Sequence, residues 1–199
     1  MSRTAQALCM ILLASMALAE PKVANPSFET DRFGKWPGYV GHNGHKITGW
    51  TFTGSVGINP VWNDTAKPAG PRHAFSDNAR VPHGRQVAFI QNVGALKQSV
   101  AGFEKGKRYR VVYCENARHN NAATRNPRLK VTLGGEVVVS EHRIEPVERI
   151  DRRTLPYNLV ESAVFTAPRD GAFELVFATS FGDRVAVLID HVRIVPIER

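Results

Sequence analysis

The residue of this sequence best suited to chemistry is Asp190, which lies within an apolar stretch near the C-terminus, Val185–Val195. Side chains alternate faces along a strand, so we expect Asp190 to occupy an apolar face. The residues predicted to share that face are Ala186, Leu188, Val192 and Ile194. A carboxylate on an apolar face is costly unless it is hydrogen-bonded, paired with a cation or bound to a metal. Asp190 must therefore have a partner.

A second acid, Glu29, ends the first predicted strand, Val23–Glu29. A hard cation such as calcium, held between the first and last strands by Glu29, Asp190 and backbone carbonyls, would satisfy both acids. The alternative is that Asp190 accepts backbone N–H bonds or pairs with an arginine, as buried acids commonly do. Both interpretations stay open, and calcium, if bound, is expected to stabilise the fold without acting in catalysis.

Sequence motifs for the common catalytic mechanisms are not found. There is no G-x-S-x-G, H-E-x-x-H, C-x-x-C or phosphate-binding loop. His42 and His45 lie close together in the sequence but lack a third metal ligand. Paired carboxylates can act at any sequence spacing, and Glu115 is one of several available acids, most of which are expected to be solvated. The sequence therefore predicts a protein that is not an enzyme, with a polysaccharide-degrading enzyme as a weaker alternative.

Aromatic and planar polar side chains in the long predicted loops are suited to carbohydrate. Sugar C–H groups pack on aromatic faces, while Arg and Asn donate directional hydrogen bonds to hydroxyls or carboxylates. The candidate ligand-binding residues are Trp36, Trp62, Arg118, Asn120 and Arg125. The formal net charge of +8 favours an anionic glycan through electrostatic steering. The basic residues are scattered and no nucleic-acid-binding motif is present, so nucleic acid is not an expected partner.

The N-terminus predicts export. Arg3, the apolar run that follows and the small residues Ala17 and Ala19 are typical of a signal peptide over residues 1–19, cleaved after Ala19. No later apolar segment is long enough to insert into a membrane. We expect the remainder, residues 20–199, to be a single domain that is secreted or periplasmic. Cys114 is its only cysteine, and we expect it to be a buried small side chain.

The elements that position these residues are predicted to be short β-strands. They are β-branched or aromatic and bounded by Gly, Pro, Asn or Asp. The predicted strands are Val23–Glu29, Gly49–Thr53, Ser55–Ile58, Gln86–Gln91, Leu96–Val100, Arg108–Asn116, Arg128–Leu133, Glu136–Ser140, Leu159–Thr166, Ala172–Ala178 and Val185–Val195. Such spacing predicts an all-β fold, a two-sheet antiparallel β-sandwich or jelly roll. The predicted core residues are Phe28, Trp50, Phe89, Val111, Leu175, Phe177 and Leu188.

Several sequence blocks occur in an order that resembles one family of exported modules. They include Asn25-Pro26-Ser27-Phe28-Glu29, Ile47-Thr48-Gly49-Trp50, Leu96-Lys97-Gln98-Ser99-Val100, Leu133-Gly134-Gly135 and Leu188-Ile189-Asp190-His191-Val192. The chain resembles galactose-binding-like jelly-roll modules related to family 4/9-type carbohydrate-binding modules and DUF642-type wall proteins. The resemblance implies a β-sandwich, frequently a structural calcium and frequently glycan binding, and it does not imply catalysis. One departure is His191, where these modules usually have a second acid.

The sequence and this resemblance together predict an exported, non-catalytic module that binds a polysaccharide or cell-surface glycan. A structural or protein-interaction module of the cell envelope is the alternative.

Overall fold

The computed structural model describes residues 20–32, 38–40, 45–60, 81–117, 127–146, 157–180 and 186–198, and its regular secondary structure within these ranges is all β. The strands are β1 (Thr51–Pro60), β2 (Gln86–Phe103), β3 (Arg108–Ala117), β4 (Arg128–Leu133), β5 (Glu136–Arg143), β6 (Asn158–Glu161), β7 (Phe165–Thr166), β8 (Gly171–Thr179) and β9 (Ala186–Ile197). Their pairings are antiparallel, which confirms the predicted fold class. In these ranges no helix is long and apolar enough to cross a membrane.

Two sheets are joined through β2, which is 18 residues long. Its second half, from Gly94, pairs with β8, and the sheet continues through β4 to β5; this is sheet I. Its first half, Ala88–Gln91, pairs with β9, and the sheet continues through β3 to β6; this is sheet II. Strand β1 follows β2 along both halves. The strands therefore form the two-sheet antiparallel sandwich that the sequence predicts.

The passage of β1 and β2 from one sheet to the other depends on glycine. The register of β1 shifts between Gly54 and Ser55, opposite Gly94. At Gly54 φ is +72°, and a Cβ atom there would lie 2.2 Å from the carbonyl oxygen of Val93. Asn92, with φ of 61°, marks the same bend on β2. The sequence predicts two separate strands on each side of this point, whereas the structure has continuous strands that bend.

The main core lies between the sheets and is rich in aromatic rings. The ring of Tyr113 in sheet II lies 5.0 Å from that of Phe177 in sheet I, and Trp50 lies 6.2 Å from Phe177. All seven predicted core residues are buried. Two of them, Phe89 and Leu188, are outside the main core and belong to a second cluster on the other side of sheet II. Burial was predictable for these two residues, but their face was not.

Residues 23–29 do not form the predicted first strand. Asn25 and Phe28 have positive φ angles of 46° and 60°, which turn the chain. A side chain and a strand both hold this segment. The amide of Gln98 accepts from the N–H of Ala24 at 2.7 Å and donates to its carbonyl oxygen at 3.0 Å. The N–H of Val192 in β9 donates to the carbonyl oxygen of Pro26 at 2.8 Å. Phe28 still reaches the core, where its ring lies 5.4 Å from Trp50.

Candidate functional site

A β-bulge at His191 decides which face Asp190 occupies. His191 has a positive φ of 54°, and the register between β3 and β9 shifts beside it. After the bulge Val192 packs into the main core, whereas before it Leu188 belongs to the second cluster. Asp190 therefore lies with Leu188 on the outer face of sheet II. The prediction that it shares a face with Val192 and Ile194 is wrong, because strict alternation ignores the extra residue of a bulge.

Apolar and aromatic side chains share this outer face with Asp190, and we term them the outer cluster. Its members are Val81, Val87, Phe89, Cys114, Tyr157, Ala186 and Leu188, with the half-buried Tyr39 packed against them. Cys114 is the cross-strand neighbour of Asp190, and the ring of Tyr39 meets Phe89 edge-on at 5.0 Å. The side chain of Asp190 is completely buried. A carboxyl group is therefore held out of water on a largely apolar surface.

Backbone donors hold Asp190 in place. Its Oδ2 accepts from the N–H of His83 at 2.9 Å, and its Oδ1 accepts from the N–H of His191 at 2.6 Å. Burial raises the pKa of Asp190 to about 7 despite these two bonds, which favour the charged form, and the nearby Glu29 adds to the increase. The structure thus matches the hydrogen-bonded alternative. A carboxyl with a pKa near neutrality is well suited to donating and recovering a proton.

Two other groups that carry protons lie near Asp190. Burial raises the pKa of the Tyr157 hydroxyl well above its ordinary value, and Asp190 and Cys114 raise it further. Burial also raises the pKa of the Cys114 thiol, with a smaller contribution from Asp190. Both groups are therefore neutral at physiological pH. The prediction that Cys114 is buried is confirmed, whereas sequence reasoning missed Tyr157 because a single tyrosine before a short strand forms no recognisable pattern.

Basic side chains lie at the solvent edge of this face. The rings of His83 and His191 are 5.3 Å apart, and Arg193 follows on β9. His83 and Arg193 are exposed, and His191 is half-buried. Burial lowers the pKa of His191, and Arg193 and His83 lower it further, so this imidazole is neutral at pH 7. Of these three side chains, Arg193 is the one that carries a permanent positive charge.

Glu29, like Asp190, accepts hydrogen bonds from backbone N–H groups of the segment just before and at the start of β2, but from different residues. Its Oε1 accepts from the N–H groups of Arg85 and Gln86, each at 2.7 Å. Such donors suit a metal-free carboxylate, whereas calcium is held by about six to eight oxygen atoms. Within the described residues there is no group of three or more His, Cys, Asp or Glu that could hold a metal. Calcium bound by Glu29 and Asp190 stays a prediction.

A second buried acid, Glu115, points into the sandwich and is not one of the solvated acids. The hydroxyl of Tyr113 donates to its Oε2 at 3.0 Å, and Nε2 of His142 lies 2.8 Å from its Oε1. The Nδ1 atom of His142 lies 3.1 Å from the carbonyl oxygen of Ser140, so both ring nitrogens face acceptors. The bond to Glu115 raises the pKa of His142. We assign this network a structural role because it links β3 to β5 and its groups already have partners.

Two surface cavities of about 600 Å³ each lie elsewhere in the described part of the chain. One surrounds the turn between β2 and β3, where Lys107 is already paired with Glu104 at 2.7 Å. The other is lined by residues 46–52, including Trp50 and Phe52. Neither contains a fully buried acid. The outer cluster with Asp190 is therefore the stronger candidate site.

The ligand-binding residues predicted from the sequence lie outside the residues that the structure describes. They are Trp36, Trp62, Arg118, Asn120 and Arg125. A glycan site formed by these residues stays a prediction.

A family model for the HpiC1 cyclase, termed HpiC1-like, matches residues 19–176, which is most of the chain. This match overturns the prediction that the protein is not an enzyme. The sequence contains none of the common catalytic motifs, so a motif search gave no indication of an enzyme. No curated protein matches the sequence.

Solved structures support the jelly-roll fold. A cyclase from Fischerella sp. TAU in complex with 4-(1H-indol-3-yl)butan-2-one is 15% identical, with a TM-score of 0.59 over 89% of this chain and 99% of that chain. TmCBM61 in complex with β-1,4-galactotriose is 14% identical, with a TM-score of 0.54 over 90% and 100% of the two chains. The CBM22-1–GH10 modules of Clostridium thermocellum xylanase 10B, complexed with xylohexaose, are 14% identical, with a TM-score of 0.53 over 91% and 29%. These likenesses establish the fold alone, so a specific relation to family 4/9 or DUF642 proteins stays a prediction.

Proposed function

Because the chain belongs to the HpiC1-like family of cyclases, we propose that it is an enzyme that closes a ring in an apolar, unsaturated substrate by proton transfer from Asp190. The observation that carries this proposal is the complete burial of Asp190 on the face that holds the outer cluster. A ring closure started by a proton needs an acid that is still protonated near neutral pH. It also needs a surface that keeps water from the cationic intermediate. The outer face of sheet II offers both.

The proposed reaction is an isomerisation. Asp190 gives its proton to one carbon of a double bond, which forms a C–H bond and leaves a carbocation at the other carbon. A second π system of the same substrate attacks that carbon, and the new C–C bond closes the ring. A proton then leaves the ring and returns to the Asp190 carboxylate, so substrate and product have the same composition. The half-buried aromatic ring of Tyr39, which packs edge-on against the buried Phe89, offers the kind of surface that stabilises a cation.

An aromatic substrate fits this site best. The Fischerella cyclase is in complex with an indole ketone. We propose that the substrate of this chain is likewise aromatic and largely apolar. Phe89 and Leu188 are almost completely buried and carry no polar group, so they suit apolar surface better than hydroxyl groups. The positive charge of Arg193 lies at the edge of this face. The outer cluster at the centre of the face has no charged member, and Asp190 is the acid beside it.

The proposed proton transfer can be tested by deuterium incorporation. Indoles with an alkenyl side chain would be incubated with the protein in D₂O, and products would be analysed by mass spectrometry and chromatography. We expect an isomer that carries one deuterium. Asp190→Asn should lower the rate by about 10²–10⁴-fold. Asp170→Asn is the control, because Asp170 is an exposed acid that accepts from the N–H of Lys105 at 2.7 Å. Ring closure without deuterium uptake, or at the wild-type rate in Asp190→Asn, would reject the proposal.

Carbohydrate is the second candidate ligand. The fold is shared with TmCBM61 over nearly the whole of both chains, and the formal net charge of +8 would attract an anionic glycan. The proposed contacts are Trp36, Trp62, Arg118, Asn120 and Arg125. A glycan array, followed by titration of Arg118→Ala, tests this candidate. An unchanged affinity in a triple Arg118/Arg125/Trp62→Ala variant would place the glycan elsewhere.

Export is part of the proposal. Small residues at Ala17 and Ala19 support cleavage after residue 19. The exported protein should therefore begin at Glu20. An intact mass that still includes residues 1–19 would contradict this.

A further inference from the structure

The hydroxyl of Tyr157 has no hydrogen-bond partner among the described residues, which sets it apart from two other buried tyrosines. The Tyr113 hydroxyl donates to Oε2 of Glu115 at 3.0 Å, and the Tyr109 hydroxyl accepts from the N–H of Glu104 at 3.1 Å. Tyr157 is 8% exposed, and its hydroxyl makes no hydrogen bond to any residue that the structure describes. A buried phenol without a partner is destabilising, because it has given up its hydrogen bonds to water.

This hydroxyl lies at the candidate site. Tyr157 packs in the outer cluster, and Asp190 and Cys114 are near enough to raise its pKa, although it is hydrogen-bonded to neither. Both carboxylate oxygens of Asp190 already accept backbone N–H groups. The other members of the cluster, among them Val87 and Leu188, are largely apolar. A donor is therefore held on this face, and a bound substrate can supply the acceptor.

We propose that Tyr157 is a substrate-binding residue whose hydroxyl donates a hydrogen bond to an acceptor atom of the substrate. This inference rests on the proposed function, because it concerns the same site. It narrows the substrate class to an aromatic, largely apolar skeleton with one hydrogen-bond acceptor, such as a carbonyl oxygen, close to the carbon that Asp190 protonates. Since burial keeps the phenol neutral, it serves as a donor throughout the physiological pH range.

The first test needs no ligand. Thermal melts would compare Tyr157→Phe with Tyr113→Phe, which is the matched control. Tyr157→Phe removes a hydroxyl that has no partner within the described part of the chain, so the melting temperature should stay the same or rise. Tyr113→Phe removes a donor to Glu115 and should lower the melting temperature by roughly 2–10 °C. A comparable fall in Tyr157→Phe would overturn the inference, because the hydroxyl would then contribute to the fold.

The second test uses two probes, 4-(1H-indol-3-yl)butan-2-one and 3-butylindole, which lacks the ketone oxygen. Calorimetric titration should show that Tyr157→Phe weakens binding of the ketone by about tenfold and leaves the affinity for 3-butylindole unchanged. Equal losses for both probes would overturn the inference, because Tyr157 would then act through packing. If the wild type bound neither probe, the proposal that the substrate is an indole would be rejected. The comparison of melting temperatures would then decide the role of Tyr157.

Discussion

Replacing Asp190 by Asn should remove a large part of the pH dependence of stability. The pKa of Asp190 is about 7 in the folded protein, against an ordinary value of 3.8. Between these two pH values the folded state holds the proton more tightly than the unfolded chain does. The free energy of unfolding of the wild type should therefore fall as the pH rises from about 4 to about 7. At roughly 1.4 kcal/mol per pKa unit the total loss is about 4 kcal/mol, after which the curve levels off.

The Asp190→Asn variant should lose this pH dependence and should lose stability relative to the wild type at low pH. Asn cannot titrate, so this slope disappears. Its side chain has one acceptor oxygen, whereas Asp190 accepts from the N–H groups of both His83 and His191. The lost bond costs about 1–3 kcal/mol at every pH. We therefore expect Asp190→Asn to be less stable than the wild type at pH 4 and equally or more stable at pH 8.

Urea unfolding at pH 4–8.5, with a chelator present, would measure both proteins. His142 adds a slope of its own, because its raised pKa makes a stabilising contribution that is lost as the pH rises above its ordinary value of 6.5. This contribution is common to both proteins, so the difference between their curves isolates Asp190. Parallel curves would refute the reasoning, since the carboxyl would then keep one ionisation state in the fold over the whole range.

His142→Gln should destabilise the protein more at pH 5.5 than at pH 8.5, because the ion pair with Glu115 exists while the imidazole is charged; equal losses in thermal melts at the two pH values would contradict this. Calcium added after chelation should raise the melting temperature of the wild type and not of Asp190→Asn, with about 2.7 kcal/mol gained at a hundredfold excess over Kd. An unchanged wild-type value would favour the metal-free carboxyl. Phe89→Ala should cost about 3–5 kcal/mol, since Phe89 is 1% exposed; a loss below about 1 kcal/mol in urea would show that its site tolerates the cavity.

The strands were largely predictable because most of them are short, β-branched and bounded by turn residues. Arg128–Leu133 has the predicted limits, and β3 extends one residue beyond Arg108–Asn116. The pattern failed at residues 23–29, where an apolar residue before an acid suits a strand and a turn equally well. Phe28 reaches the core from a turned backbone that is held by the N–H of Val192 in β9 and by Gln98, which lies 74 positions away from Ala24. Such a long-range side-chain contact leaves no local sequence signal.

The candidate site was predictable only in part. Asp190 stood out because an acid within an apolar strand requires a partner. That partner was not predictable, since the N–H of His83 lies 107 positions away in the sequence. The enzyme class shown by the family model was missed for a similar reason, because no catalytic motif in the sequence indicates it. A carboxyl acquires a pKa near 7 through burial and neighbouring groups, which are properties of the fold, so no motif marks it.

Strict alternation of faces cannot place Asp190 correctly, because it ignores the extra residue at His191. Strand β9 places both Ile189 and Val192 in the main core. Because they are three positions apart, strict alternation would put them on opposite faces. A bulge reconciles them and leaves Asp190 on the outer face beside Cys114. Without it, alternation from Val192 would turn Asp190 into the main core, away from the outer cluster. The positive φ of 54° at a non-glycine residue costs about 1–2 kcal/mol. Such strain is typical of functional sites, and here it accompanies the placement of the acid at the outer cluster.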